Sequence, residues 1–344
     1  MKKVKVLVVD DSILFRKVLI DRLSQYDHIE VVGYATDAFD AQDKIPKLDP
    51  HVVTLDVEMP KLNGIEFLKK MMPKRPLPVV LVSSLNISVF EALSAGAVDF
   101  VRKPSMQAQN AVDLFISELV RKISIASVAR VKTSNTVKAQ TIITSDALKS
   151  TAKSNSIVIA IGASTGGTEA TLTVLKNLPA NTPGILVTQH MPPGFTKMYA
   201  ERLNKLCAME VKEAQNGDKV IPGRVLIAPG DAHMRLTRTG NEYFVRCAPG
   251  EKVSGHCPSV DVLFDSVASV ARGNSVGIIM TGMGKDGAAG LLNMKKQGAY
   301  TIGQSKESCV VYGMPMVAKN IGAVATEAPC EEIASILKQH LNKL

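Results

Sequence analysis

The chain has 344 residues, 46% hydrophobic and 21% charged, which is too long for one typical domain and too apolar for a disordered polypeptide. Its net charge is +9, yet aromatics make up only 4% and Trp is absent, so platforms for stacking nucleic-acid bases are not expected. No apolar run approaches the ~18 residues of a membrane span, the start Met1-Lys2-Lys3 has no secretion-signal pattern, and Cys207, Cys247, Cys257, Cys309 and Cys330 form no CxxC pair. These features predict a cytoplasmic protein with reduced thiols, no membrane insertion and neither a zinc cage nor a disulfide framework.

Along the first 124 residues, strand and helix patterns alternate. Val4–Val9, Ile29–Tyr34, His51–Leu55, Pro78–Ser83 and Val98–Val101 are short aliphatic runs. Helical patterns over Ile13–Tyr26, Ala38–Leu48, Ile65–Met72, Val89–Ala95 and Ala111–Ile123 follow them in turn. Five such repeats predict a doubly wound parallel sheet. The pattern fades over residues 125–155, where Ser, Thr, Lys and Ala dominate, and this reads as a linker with room for one helical stretch. A second α/β series begins at Ser156, with strands at Ile157–Ile161, Gly184–Thr188, Arg224–Ala228, Val276–Met280 and Tyr300–Gly303. A hairpin pairs Met234–Thr237 with Tyr243–Arg246 through Thr239-Gly240-Asn241. The expected organisation is therefore two parallel-sheet α/β domains, 1–124 and 156–344. The positive surplus is +1 in residues 1–124, +4 in 125–155 and +4 in 156–344.

In the first domain Asp10 and Asp11 end the first strand, Asp56 the third, Ser83 the fourth and Lys103 the fifth. A parallel sheet opens all these ends on one edge, where such sheets hold ligands. Carboxylates there suit a hard divalent cation such as Mg²⁺, and an aspartate beside that cation and a lysine can accept a phosphoryl group. The bland alternative for any one of them is a helix cap.

The second domain offers three more strand ends. Gly162-Ala-Ser164-Thr-Gly166-Gly167 is a G-x-S-x-G turn after a strand, a place for an exposed nucleophile. His190 follows the next strand and is fixed by Pro192 and Pro193, as suits a general base; taken alone, it reads slightly more readily as a partly buried structural histidine. Asp286 has two readings, acceptor of an imidazole N–H or N-cap of the helix expected over Ala288–Lys296. The order Ser, His, Asp is not that of the α/β-hydrolases. Gly282-Met-Gly284-Lys-Asp-Gly287 also spells a dinucleotide-binding G-x-G-x-x-G, but the following strand ends in Gln304 rather than an acidic ribose ligand.

Val-Val-Asp-Asp-Ser, Leu-Asp-Val-Glu-Met-Pro, Val-Ser-Ser and Val-Arg-Lys-Pro together resemble the receiver domains of two-component response regulators. That resemblance makes Asp56 the phospho-acceptor. Asp10, Asp11, Asp56 and the Glu58 carbonyl would hold Mg²⁺, and Ser83, Phe100 and Lys103 would switch with the phosphoryl group. Gly-Ala-Ser-Thr-Gly-Gly, Gln-His-Met-Pro, Ala-Pro-Gly-Asp with His233, Pro258-Ser-Val-Asp261 and Thr-Gly-Met-Gly-Lys-Asp-Gly resemble the chemotaxis protein-glutamate methylesterases, whose receiver–linker–hydrolase order covers the whole chain. The implied catalytic residues are Ser164, His190 and Asp286, with Thr165 and the Met283 N–H positioning substrate or oxyanion and no cofactor for the esterase step. The implied substrates are chemoreceptor glutamate methyl esters and certain glutamines, and the implied phosphodonor is the chemotaxis histidine kinase. The segment Leu85–Phe90 reads as shorter than usual for this family. Two other readings are a DNA-binding regulator, for which no helix-turn-helix is recognisable, and a scaffold without chemistry, against which the intact Ser, His and Asp speak.

Overall fold

The strands form where runs of Val, Ile and Leu let both faces of a sheet be buried under helices, as a parallel sheet requires. The computed structural model describes residues 3–60, 62–83, 88–104, 110–131, 148 and 156–344. The chain divides into two compact units between residues 139 and 140.

In the first unit β1 (Val4–Val9), β2 (Ile29–Ala35), β3 (Val52–Asp56), β4 (Val79–Ser83) and β5 (Asp99–Arg102) form a parallel sheet in the order β2-β1-β3-β4-β5. β3 and β4 are buried along their whole length. The intervening helices are α1 (Ile13–Leu23), α2 (Ala38–Leu48), α3 (Gly64–Met71), α4 (Ser88–Ser94) and α5 (Ala111–Ala126). Side chains of Ser12, Asp37 and Asn63 accept from the first free N–H groups of α1, α2 and α3, which explains where these helices begin. The strand order reverses between β1 and β3, so a crevice lies beyond their carboxyl ends, where Asp10 and Asp56 stand. Most of the expected linker, and residues 85–87 of the segment read as short, lie outside the described residues.

In the second unit seven parallel strands run in the order β14-β13-β12-β6-β7-β9-β8. They are β6 (Val158–Ala163), β7 (Gly184–Gln189), β8 (Glu210–Glu213), β9 (Arg224–Ile227), β12 (Ser275–Ile279), β13 (Tyr300–Gln304) and β14 (Thr326–Ala328). The edge strands β8 and β14 were not expected from the sequence. The hairpin is longer than its predicted strands, with β10 (His233–Thr239) pairing antiparallel to β11 (Glu242–Ala248). Among the described residues six helices cover the sheet: α6 (Gly167–Leu175), α7 (Phe195–Leu206), α8 (Val260–Val270), α9 (Ala288–Lys296), α10 (Met314–Asn320) and α11 (Cys330–Leu341). Leu236 and Val245 of the hairpin, Leu263, Phe264 and Val267 of α8, and Leu291 and Met294 of α9 belong to one buried cluster with β6. The chain leaves β6 toward β7 on one side and returns to β12 on the other. The reversal of strand order therefore lies between β6 and β12. Both expected parallel-sheet domains are present.

Candidate active site

At the receiver crevice Asp10 and Asp56 are each only 1% exposed. Asp10, Asp11 and Asp56 present carboxylate oxygens within 4.8 Å of one another. Lys103 reaches in from the end of β5, with Nζ 2.6 Å from Asp56 Oδ2 and 3.3 Å from Asp10 Oδ2. The Glu58 N–H donates to Asp56 Oδ1 at 3.1 Å, and the Ser12 N–H to Asp10 Oδ1 at 2.9 Å. These donors do not offset the cost of burying clustered negative charge. Burial pushes the Asp56 carboxyl up to about 6 against the pull of Lys103, with Asp10 adding to the rise. Burial raises Asp10 as well. The Lys103 ammonium, although desolvated, is held above the usual lysine range by its bond to Asp56 and by both carboxylates.

Asp10 Oδ2 is buried with only the 3.3 Å approach of Lys103, and the Ser83 hydroxyl is buried without a hydrogen-bond partner among the described residues. Buried polar atoms are rarely left so, and these two fit an ion and an incoming anion. The oxygen donor set therefore fits Mg²⁺. Phe100 is buried. A residue that the sequence did not single out holds it there: Lys122 of α5, itself buried, donates to Asp99 Oδ1 at 2.7 Å and to the Phe100 carbonyl at 2.5 Å. Its ammonium lies 5.0 Å from the Phe100 ring centroid.

In the second unit, register brings the predicted residues together. Ala163 pairs with Gln189 across β6 and β7, and the His190 N–H donates to the Ala163 carbonyl at 3.1 Å, so Ser164 and His190 leave adjacent strand ends. On the other side of β6, the Ser164 N–H donates to the Thr281 carbonyl at 3.0 Å, just past β12. The turn that carries Ser164 is tightly tied. The Gly167 N–H and the Gln189 side-chain amide both donate to the Ser164 carbonyl, at 2.7 and 2.8 Å. Gly166 has φ 77°, which favours glycine. A Cβ at Gly167 would stand 2.3 Å from Gln189 Oε1. α6 starts at Gly167, three residues after the serine, so its positive end lies close to the nucleophile.

Asp286 is buried and accepts four hydrogen bonds. Ser259 Oγ (2.8 Å) and the Asp261 N–H (3.0 Å) donate to Oδ1. The Val260 N–H and His190 Nε2 donate to Oδ2, each at 2.8 Å. Burial alone would raise this carboxyl. The bond and charge of His190, with the N–H groups of Asp261 and Val260, outweigh that and hold it well below the usual range. Asp286 is thus an anion seated on the N-terminus of α8, 26 residues away, and not the cap of its own helix. The N-cap of α9 is Gly287, without a side-chain bond. Because the carboxylate can only accept, Nε2 carries an imidazole proton, so in the neutral ring the lone pair lies on Nδ1. Nδ1 is buried and has no hydrogen-bond partner among the described residues.

The G-x-G-x-x-G stretch has a different use from phosphate binding. A Cβ at Gly282 would lie 2.6 Å from the Ser164 Cβ and 2.4 Å from Met314 Sδ, so glycine lets this loop approach the serine turn. The buried Gln304 side chain accepts from the Thr281 N–H at 2.8 Å and supports the same loop. Thr165 is buried beside the serine, its carbonyl accepting from Thr281 Oγ1 at 3.0 Å. Met283 is 45% exposed on the loop before Asp286. The sequence reading did not give Gln189, Ser259, Thr281 or His256 a role. Only the Pro258-Ser-Val-Asp261 motif hinted at Ser259.

A crevice of clustered aspartates with a lysine on one α/β unit, and a serine at the strand end next to a histidine–aspartate pair on a second, are the arrangement of a response regulator with a hydrolase-type output unit. The response regulator receiver domain family matches residues 6–113, and the family described as CheB methylesterase matches residues 159–337. The chain is 55% identical over 347 residues to the protein-glutamate methylesterase/protein-glutamine glutaminase 2 of Syntrophomonas wolfei, covering 100% of this chain and 99% of that one. It is 46% identical over 348 residues to the protein-glutamate methylesterase/protein-glutamine glutaminase of Salmonella typhimurium, covering 100% and 98%. Among solved structures, the catalytic domain of Thermotoga maritima CheB methylesterase superposes with a TM-score of 0.53 at 39% identity. That match covers 54% of this chain and 98% of that one. The chain belongs to the CheB methylesterase family.

Proposed function

We propose that this response regulator hydrolyses glutamate γ-methyl esters on chemoreceptors, and deamidates particular receptor glutamines, through Ser164, His190 and Asp286 under control of phosphorylation at Asp56. The relatives' names supply the two activities. The observation that carries the assignment is the four-fold hydrogen-bonded Asp286, whose bond to His190 Nε2 leaves Nδ1 as a buried base at the strand end next to Ser164.

In this reading Nδ1 takes the proton of Ser164 as Oγ attacks the ester carbonyl, and Asp286 stabilises the imidazolium without changing its own protonation. The carbonyl electron pair moves to oxygen and is met by Thr165, the Met283 N–H and the positive end of α6. His190 then protonates the departing methoxide, which leaves as methanol, or in the amide reaction the amide nitrogen, which leaves as ammonia. Water, deprotonated by His190, attacks the acyl-serine, and Ser164 leaves with its proton restored. The esterase step uses no cofactor.

At the receiver, Asp56 attacks the phosphorus of a donor, and the displaced group leaves with the bonding pair. Asp10, Asp11, Asp56 and the Glu58 carbonyl would hold Mg²⁺, which when bound neutralises charge on the phosphoryl oxygens. Lys103 pairs with the phosphoryl group, Ser83 follows it, and Phe100 responds. The donor is the chemotaxis histidine kinase. The proposed limits are 1–124 for the receiver, 125–155 for the linker and 156–344 for the hydrolase. No helix among the described residues is long and apolar enough to cross a membrane. The proposed location is the cytoplasm, facing the receptors' methylated helices. Methanol release from methylated receptor membranes, with and without acetyl phosphate, tests the reading. Equal release by wild type and Ser164→Ala would reject it.

A further inference from the structure

The imidazole of His256 lies flat on that of His190, with ring centroids 3.6 Å apart and planes 11° from parallel. His256 comes from the segment between β11 and α8, which contributes none of the three proposed reacting residues. We propose that His256 is a positioning residue, whose ring face fixes the plane of His190 so that Nδ1 stays aligned with Ser164. The proposal rests on the reading of Ser164, His190 and Asp286 as the reacting set.

Among the described residues His190 is tethered at one ring nitrogen, by the Nε2 bond to Asp286. A single hydrogen bond fixes that nitrogen but leaves the ring free to tilt about the bond, and tilt swings Nδ1 on the far side. Among the described residues no donor or acceptor holds Nδ1. A flat neighbour in van der Waals contact blocks tilt without occupying the lone pair that must take a proton. An aromatic ring does this where a hydrogen-bonding side chain would compete for Nδ1.

The backbone that carries His256 is built to place it. Val253 and His256 exchange two backbone hydrogen bonds of 3.0 Å across Ser254-Gly255. Both turn residues have positive φ, 52° and 83°, as a tight two-residue turn of this hand requires. Ser254 Oγ bonds Asp261 Oδ2 at 3.5 Å, tying the turn to the start of α8. On the other flank, buried His233 accepts from the Ser259 N–H at Nδ1 (3.2 Å) and donates through Nε2 to the Glu251 carbonyl (2.8 Å). His233 thereby pins both ends of the loop. The same stretch supplies Ser259 Oγ and the N–H groups of Val260 and Asp261 to Asp286. One short segment therefore grips the carboxylate edge of the pair and covers the face of its imidazole, which couples the two placements.

The test is labelling of Ser164 by a fluorophosphonate in the intact chain, with acetyl phosphate and Mg²⁺ present, followed by mass spectrometry. This reaction needs the activated serine but no receptor. Wild type should label at Ser164 far faster than His190→Ala; equal rates would overturn the reacting set and this inference with it. Given that difference, His256→Ala should lower the labelling rate constant by about tenfold to a hundredfold, the scale of a misaligned base, while probe affinity and thermal midpoint change little. His256→Phe restores a flat face without a titratable nitrogen and should recover the rate to within about threefold of wild type. That rescue separates positioning from proton transfer by His256 itself. Wild-type labelling in His256→Ala overturns the inference while leaving the reacting set intact. So does a folded His256→Phe that labels as slowly as His190→Ala, and this variant keeps the test decisive if the alanine variant misfolds.

Discussion

Two buried aspartates stand at crevices of two parallel sheets, and their surroundings drive them in opposite directions. Asp56 has one backbone donor and Lys103, with Asp10 beside it, and its carboxyl is pushed up to about 6, chiefly by burial. Asp286 meets the same burial but has four donors around its two oxygens, and its carboxyl is held low. The fold supplies the position in both cases. What differs is how many donors neighbouring loops and helix ends bring to it. An under-served carboxylate keeps its electron pairs for a phosphorus atom and an ion, whereas a saturated one is a fixed charge that orients a base.

The largest effects should break the hydrolase side of this comparison. Ser164→Ala and His190→Ala should each lower methanol release by on the order of 10⁴ or more, and the double variant should be little worse, because groups acting as a unit are not additive. Asp286→Asn should cost up to about 10⁴ in rate, since an amide can hold His190 in the wrong tautomer. It should also destabilise the second unit by about 2–4 kcal/mol in urea melts at neutral pH, because an amide nitrogen would face donors. Near-wild-type rate and stability in that variant would remove Asp286 from the fixed-charge role.

Asp56→Asn should behave differently. Labelled acetyl phosphate with Mg²⁺ should mark wild type and leave this variant unmarked, and phosphodonor should no longer raise methanol release. Equal labelling would move the phospho-acceptor elsewhere.

The strand-end residues of both crevices could be read in the sequence because each follows an aliphatic run long enough to declare a buried strand. Asp10, Asp56, Ser164 and His190 all sit within one residue of an observed strand end and within three of the aliphatic run that announced it. Asp286 was harder, being seven residues beyond β12, and local reading could not choose between its roles. The donors that decide its role come from α8, whose start carries no mark of a distant carboxylate. β8, Glu-Val-Lys-Glu, and β14, Thr-Glu-Ala, were not legible, because edge strands that are short and half-exposed lack a hydrophobic pattern. Lys122 and His256 escaped for a related reason. A lysine on a helix and a histidine in a loop read as surface residues until packing puts one against Phe100 and the other on His190.

The smallest effect sharpens the comparison through pH. In metal-free buffer burial holds the folded Asp56 carboxyl up to about 6, above its ordinary value of 3.8. Below pH 3.8 it is protonated whether the receiver is folded or unfolded, so it imposes no penalty. As pH rises from 3.8 to 6 the unfolded state releases the proton first, and the folded receiver loses stability relative to it. Above about 6 the loss is complete, at roughly 2–3 kcal/mol for a shift of this size. Asn at 56 has no proton to release. In urea melts with EDTA, Asp56→Asn should therefore be more stable than wild type at pH 7.5, and the gap should shrink as pH is lowered toward 4. Asp286 has the opposite sign. Its depressed carboxyl stabilises the second unit above the ordinary carboxylate range, and that contribution is lost only in strong acid, so Asp286→Asn should stay destabilised across the same window. Mg²⁺ should narrow the Asp56 gap at pH 7.5 by binding the wild-type carboxylates. A pH-independent gap for Asp56→Asn would mean that burial does not act on its charge. The contrast between the two aspartates would then lie in hydrogen bonding alone.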